Sequence, residues 1–376
     1  MGDTIAPGGS AATPSTSDTG ARASLNGATR RRLTRILRDM VQRKDIAGLQ
    51  VAVRLPSGES WVGSAGNAEF KPPRKLEDDT VLAIASVTKT FIAALILQLA
   101  EEGKLSLDEL VGTYVPDAPK ARTATIRTLL THTSGIYDYF QNPTYEKAAR
   151  AWLKQSPSRG LLDREHRWTY EEIMALVEPG YCKVGSCYQY SNTNFVILGK
   201  VAEVVGGAPI HKQLRERFFD PLGMTNTYYQ PAEKPPLDAA HGHWDGGSTY
   251  IDHTRTSRVI PFMAAISVAG AAGAIASTAE DLVTWADALY GGKILSRRSL
   301  REMTTILPEG TYGMGTDVAS FAGNRAYGHR GGLRGYVASM WHFPKSGVSV
   351  ALLSNQGNWI PDVAMQRIVK AVLGKG

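Results

Sequence analysis

The two clearest β-hairpin signals in this chain lie at its opposite ends, and a long series of helical segments separates them. Near the start, Leu49, Val51 and Val53 alternate with Gln50, Ala52 and Arg54, and Pro56-Ser57-Gly58 turns the chain back toward Trp61 and Val62. Near the end, "GYVASMWHF" runs into the turn Pro344-Lys345-Ser346-Gly347 and then "VSVALLSN". An amphipathic helix precedes the first hairpin, with Leu33, Ile36, Leu37, Met40 and Val41 at helical spacing, and a helix over about 361–373 follows the second. The ends therefore read helix-strand-strand and strand-strand-helix. Between them, helical periodicity marks Thr88–Glu102, stopped by Gly103, then "TIRTLLTH", "TYEEIMALV", "TNFVILGKVAEVV" and "IHKQLRERFF". Ser277-Thr278-Ala279-Glu280 reads as a capping box opening "DLVTWADALY". Strands at both termini and helices between them predict one α/β domain built from the two ends, with a mostly helical insertion. The boundaries expected are 27–84 with 264–376 for the discontinuous α/β domain and 85–263 for the insertion.

Residues 1–26 are rich in Gly, Ala, Ser, Thr and Pro and cannot bury enough apolar surface to fold, so they read as a disordered tail. They show no basic segment followed by an apolar one, so no signal peptide is visible, and no apolar run approaches the length of a membrane span. The net charge of +7 is concentrated around Arg30, Arg31, Arg32, Arg35, Arg38, Arg43 and Lys44, the wet face of the first helix. That face is a solvated surface or one drawn to an anionic cell envelope; no nucleic-acid motif accompanies it. The two cysteines, Cys182 and Cys187 in "YCKVGSC", either close a small disulfide loop or remain buried thiols. A disulfide would favour an oxidising compartment, so the pair points toward an exported, periplasmic or extracellular protein whose leader is not in this sequence, with the cytoplasm as the alternative.

Ser86-Val87-Thr88-Lys89 opens a helix, and a spacing of three puts both side chains on one face of its first turn. The serine lies where the helix dipole favours developing negative charge, and a desolvated lysine can take its proton. Roughly one Ser-x-x-Lys is expected by chance in a chain this long, so the motif needs company. Tyr190-Ser191-Asn192 supplies some, because a tyrosine at a loop-to-helix junction can relay protons in a cleft. His329-Arg330-Gly331-Gly332 enters the late strand signal, where glycines allow a ligand or another backbone to approach closely.

In this order, Ser-x-x-Lys, Tyr-x-Asn and His-x-Gly resemble the penicillin-recognising serine enzymes. The chain is similar to the branch that holds class C β-lactamases, DD-carboxypeptidases, D-aminopeptidases and β-lactamase-like esterases. "LLTHTSGI", "PLGMTNT" and "AGAAGAIASTAEDL" add to the likeness, which runs from about residue 30 to the C-terminus. The resemblance implies an α/β (α+β) fold, an antiparallel sheet flanked by helices plus the helical domain, with the active site between the two parts. It implies Ser86 as acylated nucleophile, Lys89 and Tyr190 as the general-base pair, Asn192 in contact with substrate and lysine, and His329 as the cationic or polar group on the edge strand. The oxyanion hole would be the N–H groups of Ser86 and Gly332. Peptidases and β-lactamases of this kind usually carry Thr or Ser where Arg330 stands. Arg330 either binds a substrate carboxylate or points away and leaves that subsite without its usual donor, and Arg334 is a second candidate for a carboxylate.

The expected activity is that of a serine hydrolase working through an acyl-enzyme, without cofactor or metal. Its substrates would be small amides or peptides with a D-residue beside the scissile bond, as in D-alanyl-D-alanine carboxypeptidases and D-stereospecific amidases. Carboxylester hydrolysis or acyl transfer is the alternative, and class C β-lactamase activity a further one. A zinc hydrolase would have to use His241, His243 and Asp245 in "HGHWDGG", but the histidine that normally continues that motif is replaced by Gly246 in a segment reading as loop. His132 in "LLTHTSG" reads as a buried, satisfied histidine, and "GAAGAIA" as a strand turn without the lysine of a P-loop. A non-catalytic sensor of the same fold would usually have lost the serine, lysine or tyrosine, and all three are present.

Overall fold

A computed structural model of the chain describes residues 23–43, 46–153, 163–243, 250–251, 259–307 and 312–374. Its frame is a seven-stranded antiparallel sheet. The strands are β1 (Gly48–Arg54), β2 (Ser60–Phe70), β3 (Pro73–Lys75), β4 (Asp317–Phe321), β5 (Asn324–Leu333), β6 (Tyr336–Phe343) and β7 (Val348–Ser354). Their order across the sheet is β3-β2-β1-β7-β6-β5-β4. The two hairpins read from the sequence are joined by antiparallel pairing of β1 with β7, Leu49 opposite Ser354 and Arg54 opposite Ser349.

Alternation along β1 sorts its two faces. Leu49, Val51 and Val53 point to an outer layer made by helix α1 (Gly27–Arg43) and the C-terminal helix Asp362–Leu373, where Leu33, Ile36, Leu37 and Met40 meet Ile368, Val369 and Val372. Gln50 and Ala52 face the other way; Gln50 gives its amide N–H groups to the carbonyls of Glu77, Asp78 and Thr80 and accepts the N–H of Ala279. That inner face is covered by the helix Ala279–Tyr290, behind which lies the larger core around helix α2 (Thr88–Glu101). Nearly every residue of α2 is buried, which fits a sequence apolar all round.

A small sheet of Leu82–Ala83, Ile275–Ser277 and Tyr228–Tyr229 sits beside the start of α2. The helix Ala279–Tyr290 is capped one residue later than the sequence suggested. Thr278, not Ser277, is its N-cap and accepts the N–H of Asp281, because Ser277 is held in the strand with its hydroxyl on Thr227. "HGHWDGG" also departs from a plain loop: Gly242–His243 pairs with Tyr250–Ile251. No single helix among the described residues is long and apolar enough to cross a membrane.

Candidate active site

The site is assembled where α2 begins, against the inner edge of β5. Ser86 lies on a 3-10 turn, Ala85–Val87, one residue ahead of α2, and Ala85 is forced to a φ of 47° to make it. Left-handed backbone in a residue with a Cβ costs about 1 kcal/mol or more, and here it falls beside the Ser86 hydroxyl. Gly331 explains how the strand comes so near: a Cβ there would lie 2.1 Å from the carbonyl oxygen of Ile84 and 3.1 Å from the Ser86 nitrogen. A Cβ on Gly332 would meet nothing within 4 Å.

Lys89, on the first turn of α2, has no exposed surface. Its Nζ lies 3.0 Å from Ser86 Oγ, 2.9 Å from Asn192 Oδ1 and 2.8 Å from the carbonyl oxygen of Ala272. Burial pulls its pKa down from 10.5 to about 7, and the charge of Asp138 partly opposes the fall. The amine therefore divides between charged and neutral forms near neutrality, and the neutral form can accept the Ser86 proton.

Tyr190 joins from the loop before helix α3 (Asn192–Gly206). Its hydroxyl hydrogen-bonds to Ser86, and Lys89 Nζ stands 5.1 Å from its ring centroid. Burial raises the tyrosine pKa far above its ordinary value, so it carries its proton at any physiological pH. Asn192 links the lysine to a residue the sequence reading missed. Its Nδ2 donates to Asp138 Oδ2 at 3.1 Å and its backbone N–H to Asp138 Oδ1 at 3.2 Å. Asp138 also accepts the N–H of Phe140, and burial raises its pKa against those hydrogen bonds.

His329 on β5 is buried, and of the two roles the resemblance implied, cationic or polar, the environment favours the polar one. Burial first, then the nearby Lys89, push its pKa down to about 3, so the ring is neutral. Its Nδ1 lies against the Arg330 carbonyl, which can only accept, so the proton is on Nδ1. Its Nε2 then accepts from the hydroxyl of Tyr312 at 2.9 Å. Tyr312 is a second residue with no motif to announce it.

Arg330 takes one of the two courses expected of it. Its guanidinium reaches Asp317 at 2.8 Å and Asp362 at 3.1 Å, and lies 4.9 Å from the centre of Trp341. It is engaged by its own chain, the second of the two readings, and is not offered to a substrate carboxylate. Arg334, at the turn after β5, hydrogen-bonds to the half-buried Tyr145.

His132 is buried in a left-handed backbone conformation, φ 58°. Its Nδ1 accepts the Ser191 N–H at 3.2 Å and meets Asn194, while its ring lies 4.3 Å from that of Tyr190. Its Nε2 has no partner among the described residues, so it is only half satisfied. Cys182 and Cys187 form a disulfide, and the loop they close is tied down by Lys120 Nζ on the carbonyls of Cys182, Gly135 and Ser134. That loop leads directly into Tyr188 and Tyr190. His241 and His243 are buried, Nδ1 of His241 standing 3.7 Å from Glu69. Burial lowers the His243 pKa to about 4. Asp245, the third residue of that motif, lies outside the described residues, and no cluster of three or more metal-binding side chains occurs among those described.

Comparison with known proteins gives a consistent set of likenesses. The family described as Beta-lactamase matches residues 33–375. The chain is 29% identical, over 73% of its length, to a protein named putative penicillin-binding protein PbpX from Bacillus subtilis, and covers 61% of that protein. It is 26% identical, over 82% of its length, to a D-aminopeptidase from Cereibacter sphaeroides, of which it covers 56%. The chain thus spans about three fifths of these two relatives. A solved D-amino acid amidase from Ochrobactrum anthropi, complexed with L-phenylalanine amide, superposes with a TM-score of 0.77 at 27% identity, covering 92% of this chain and 99% of that one.

Proposed function

The chain belongs to the Beta-lactamase family, and from that premise we propose that it is a serine hydrolase that cleaves amides of D-residues through an acyl-enzyme. The observation that carries the proposal is the position of Lys89, fully buried and 3.0 Å from Ser86 Oγ, with its pKa brought to about 7. A base poised near the operating pH takes a proton most effectively. Lys89 as the neutral amine accepts the Ser86 proton while Oγ attacks the substrate carbonyl. The N–H groups of Ser86 and Gly332 receive the developing oxyanion. Tyr190, protonated and hydrogen-bonded to Ser86, passes a proton to the leaving amine and recovers one through Lys89. Water then attacks the ester on Ser86 by the reverse route.

Arg330 bears on substrate choice. With its guanidinium held by Asp317 and Asp362, the strand offers no arginine at that position for a leaving group with a free carboxylate. Amides with an uncharged leaving group, such as D-amino acid amides, suit this cleft better than dipeptides ending in D-alanine. The relatives named for D-aminopeptidase and D-amino acid amidase activity support the same choice. The Cys182–Cys187 disulfide supports a working place in an oxidising compartment, which fractionation of cells producing the native chain tests directly.

The decisive measurement compares D-phenylalanine amide, its L-enantiomer, D-alanyl-D-alanine and a short p-nitrophenyl ester, on wild type and Ser86→Ala. Turnover of the D-amide, lost by 10³-fold or more in Ser86→Ala together with covalent labelling by a fluorescent penicillin, is the expected result. Amide turnover that survives the substitution removes Ser86 as nucleophile. Turnover of the ester alone replaces the amidase reading with an esterase one.

A further inference from the structure

A cavity of 310 Å³ lies behind Lys89, and neither Ser86, Lys89 nor Tyr190 lines it. Its walls include Gly270 and Ala271, the two residues before the carbonyl that holds Lys89, and Val196 and Gly199 of α3, the helix that starts at Asn192. Both elements that fix the ammonium therefore present another face here. They are interlocked: a Cβ on Gly199 would stand 2.5 Å from the Ala271 methyl, so helix and turn move together.

The chemistry of the lining is specific. Ile173, Val196 and Ala271 make an apolar wall. The Trp168 indole nitrogen and the Tyr170 hydroxyl, on two other lining residues, are buried and have no hydrogen-bond partner among the described residues. Trp168 itself is only 5% exposed. Leaving such groups unpaired costs about 1–3 kcal/mol each, and an indole N–H can be satisfied only by an acceptor. Arg167 and Lys200 are exposed at the rim; Arg167 makes no ion pair among the described residues, and Lys200 stands 5.8 Å from the Tyr170 ring centre, with Glu171 in electrostatic reach. The one carboxylate in the lining among the described residues, Glu203, accepts the N–H of Ile210 at 3.2 Å.

We propose that this cavity binds a small amphipathic anion, an aryl or branched alkyl carboxylate, whose occupancy shifts the backbone at Gly270–Ala272 and is felt at Lys89. The apolar body lies on the Ile173–Val196–Ala271 wall, a small shift of that wall on binding lets the carboxylate reach the buried donors of Trp168 and Tyr170, and Arg167 and Lys200 supply the matching charge. The volume falls in the range of small-ligand sites. Binding stands on the geometry alone; its effect on the reaction rests on the reading of Lys89 as the base.

The two parts are tested separately. 4-Phenylbutyrate and its neutral counterpart 4-phenylbutanol are titrated calorimetrically into wild type, Trp168→Phe and the double variant Arg167→Glu/Lys200→Glu. The acid binds wild type at least tenfold more tightly than the alcohol, loses that advantage in the double variant and weakens several-fold in Trp168→Phe. Equal binding of the acid to all three proteins, or no binding to wild type, overturns the site. With the site occupied, kcat/KM for the ester changes at least twofold without competing with substrate, and the double variant abolishes the change. An unaltered kcat/KM at saturation, or purely competitive inhibition, overturns the coupling while leaving the amidase reading untouched.

Discussion

Replacing Asp138 by asparagine isolates the one charge that Lys89 senses through Asn192. The lysine contacts Asn192 Oδ1 at 2.9 Å, and Asn192 Nδ2 contacts the carboxylate at 3.1 Å. Across one carboxamide this places the charges about 8 Å apart at most. At an effective dielectric of roughly 20, that separation is worth about 2 kcal/mol, or about one and a half pH units. Asp138 raises the lysine pKa, so neutralising it lets burial lower the value further from about 7. The acid limb of kcat/KM, which marks loss of the neutral amine, therefore moves to lower pH by about one and a half units or more in Asp138→Asn. The assay is hydrolysis of a neutral p-nitrophenyl ester from pH 4 to 10, where the substrate itself does not titrate. A melting curve accompanies it, since the new amide places a donor toward Asn192 Nδ2 and costs about 1–3 kcal/mol of stability. A limb that stays in place, or moves upward, in a folded variant refutes the assignment of that limb to Lys89.

Lys89 also predicts a trade between stability and function. A fall from 10.5 to about 7 corresponds to at most about 5 kcal/mol. Below pH 7 both folded and unfolded chains hold the proton and the penalty is present in full; between 7 and 10.5 only the unfolded chain holds it, so stability rises with pH. Lys89→Met is therefore inactive, melts higher than wild type at pH 6, and loses that lead as the pH approaches 10; a pH-independent difference contradicts the burial argument. Gly331→Ala pushes a methyl into the Ile84 carbonyl and costs several kcal/mol with loss of activity, whereas Gly332→Ala melts within a few degrees of wild type. Equal melting temperatures for the two variants would refute the close approach. Arg330→Ala removes two partly exposed ion pairs without adding a donor, lowers stability by ~1 kcal/mol and leaves the ratio of D-alanyl-D-alanine to ester turnover unchanged; a lowered ratio would restore Arg330 to the substrate subsite.

What could be read from the sequence was whatever is encoded by local spacing. Ser86 and Lys89 share a helical turn, Tyr190 and Asn192 flank a helix start, and the alternation of Leu49, Val51 and Val53 survives intact in β1. What escaped was set by contacts distant in the chain. Asp138 is a turn-capping aspartate until α3 brings Asn192 against it. Tyr312 reaches His329 from outside any motif. The third acceptor for Lys89 is a backbone carbonyl at Ala272, to which side-chain identity is blind. Arg330 was legible as an anomaly but not in its direction, because its partners Asp317 and Asp362 come from a neighbouring strand and the last helix.

The pairing of β1 with β7 also sets a timetable. A ribosome delivers Ser86 and Lys89 early, yet the strand carrying Gly331 and the one that closes the sheet on β1 emerge last. A nascent chain therefore holds Ser86 and Lys89 without the cleft wall, and on the proposed mechanism it gains activity only when synthesis is almost over. Truncation within the final hairpin removes β7, the strand that joins β1 to β6 and β5, so Ser86 and Lys89 stay in the chain without the pairing that holds β5 beside them.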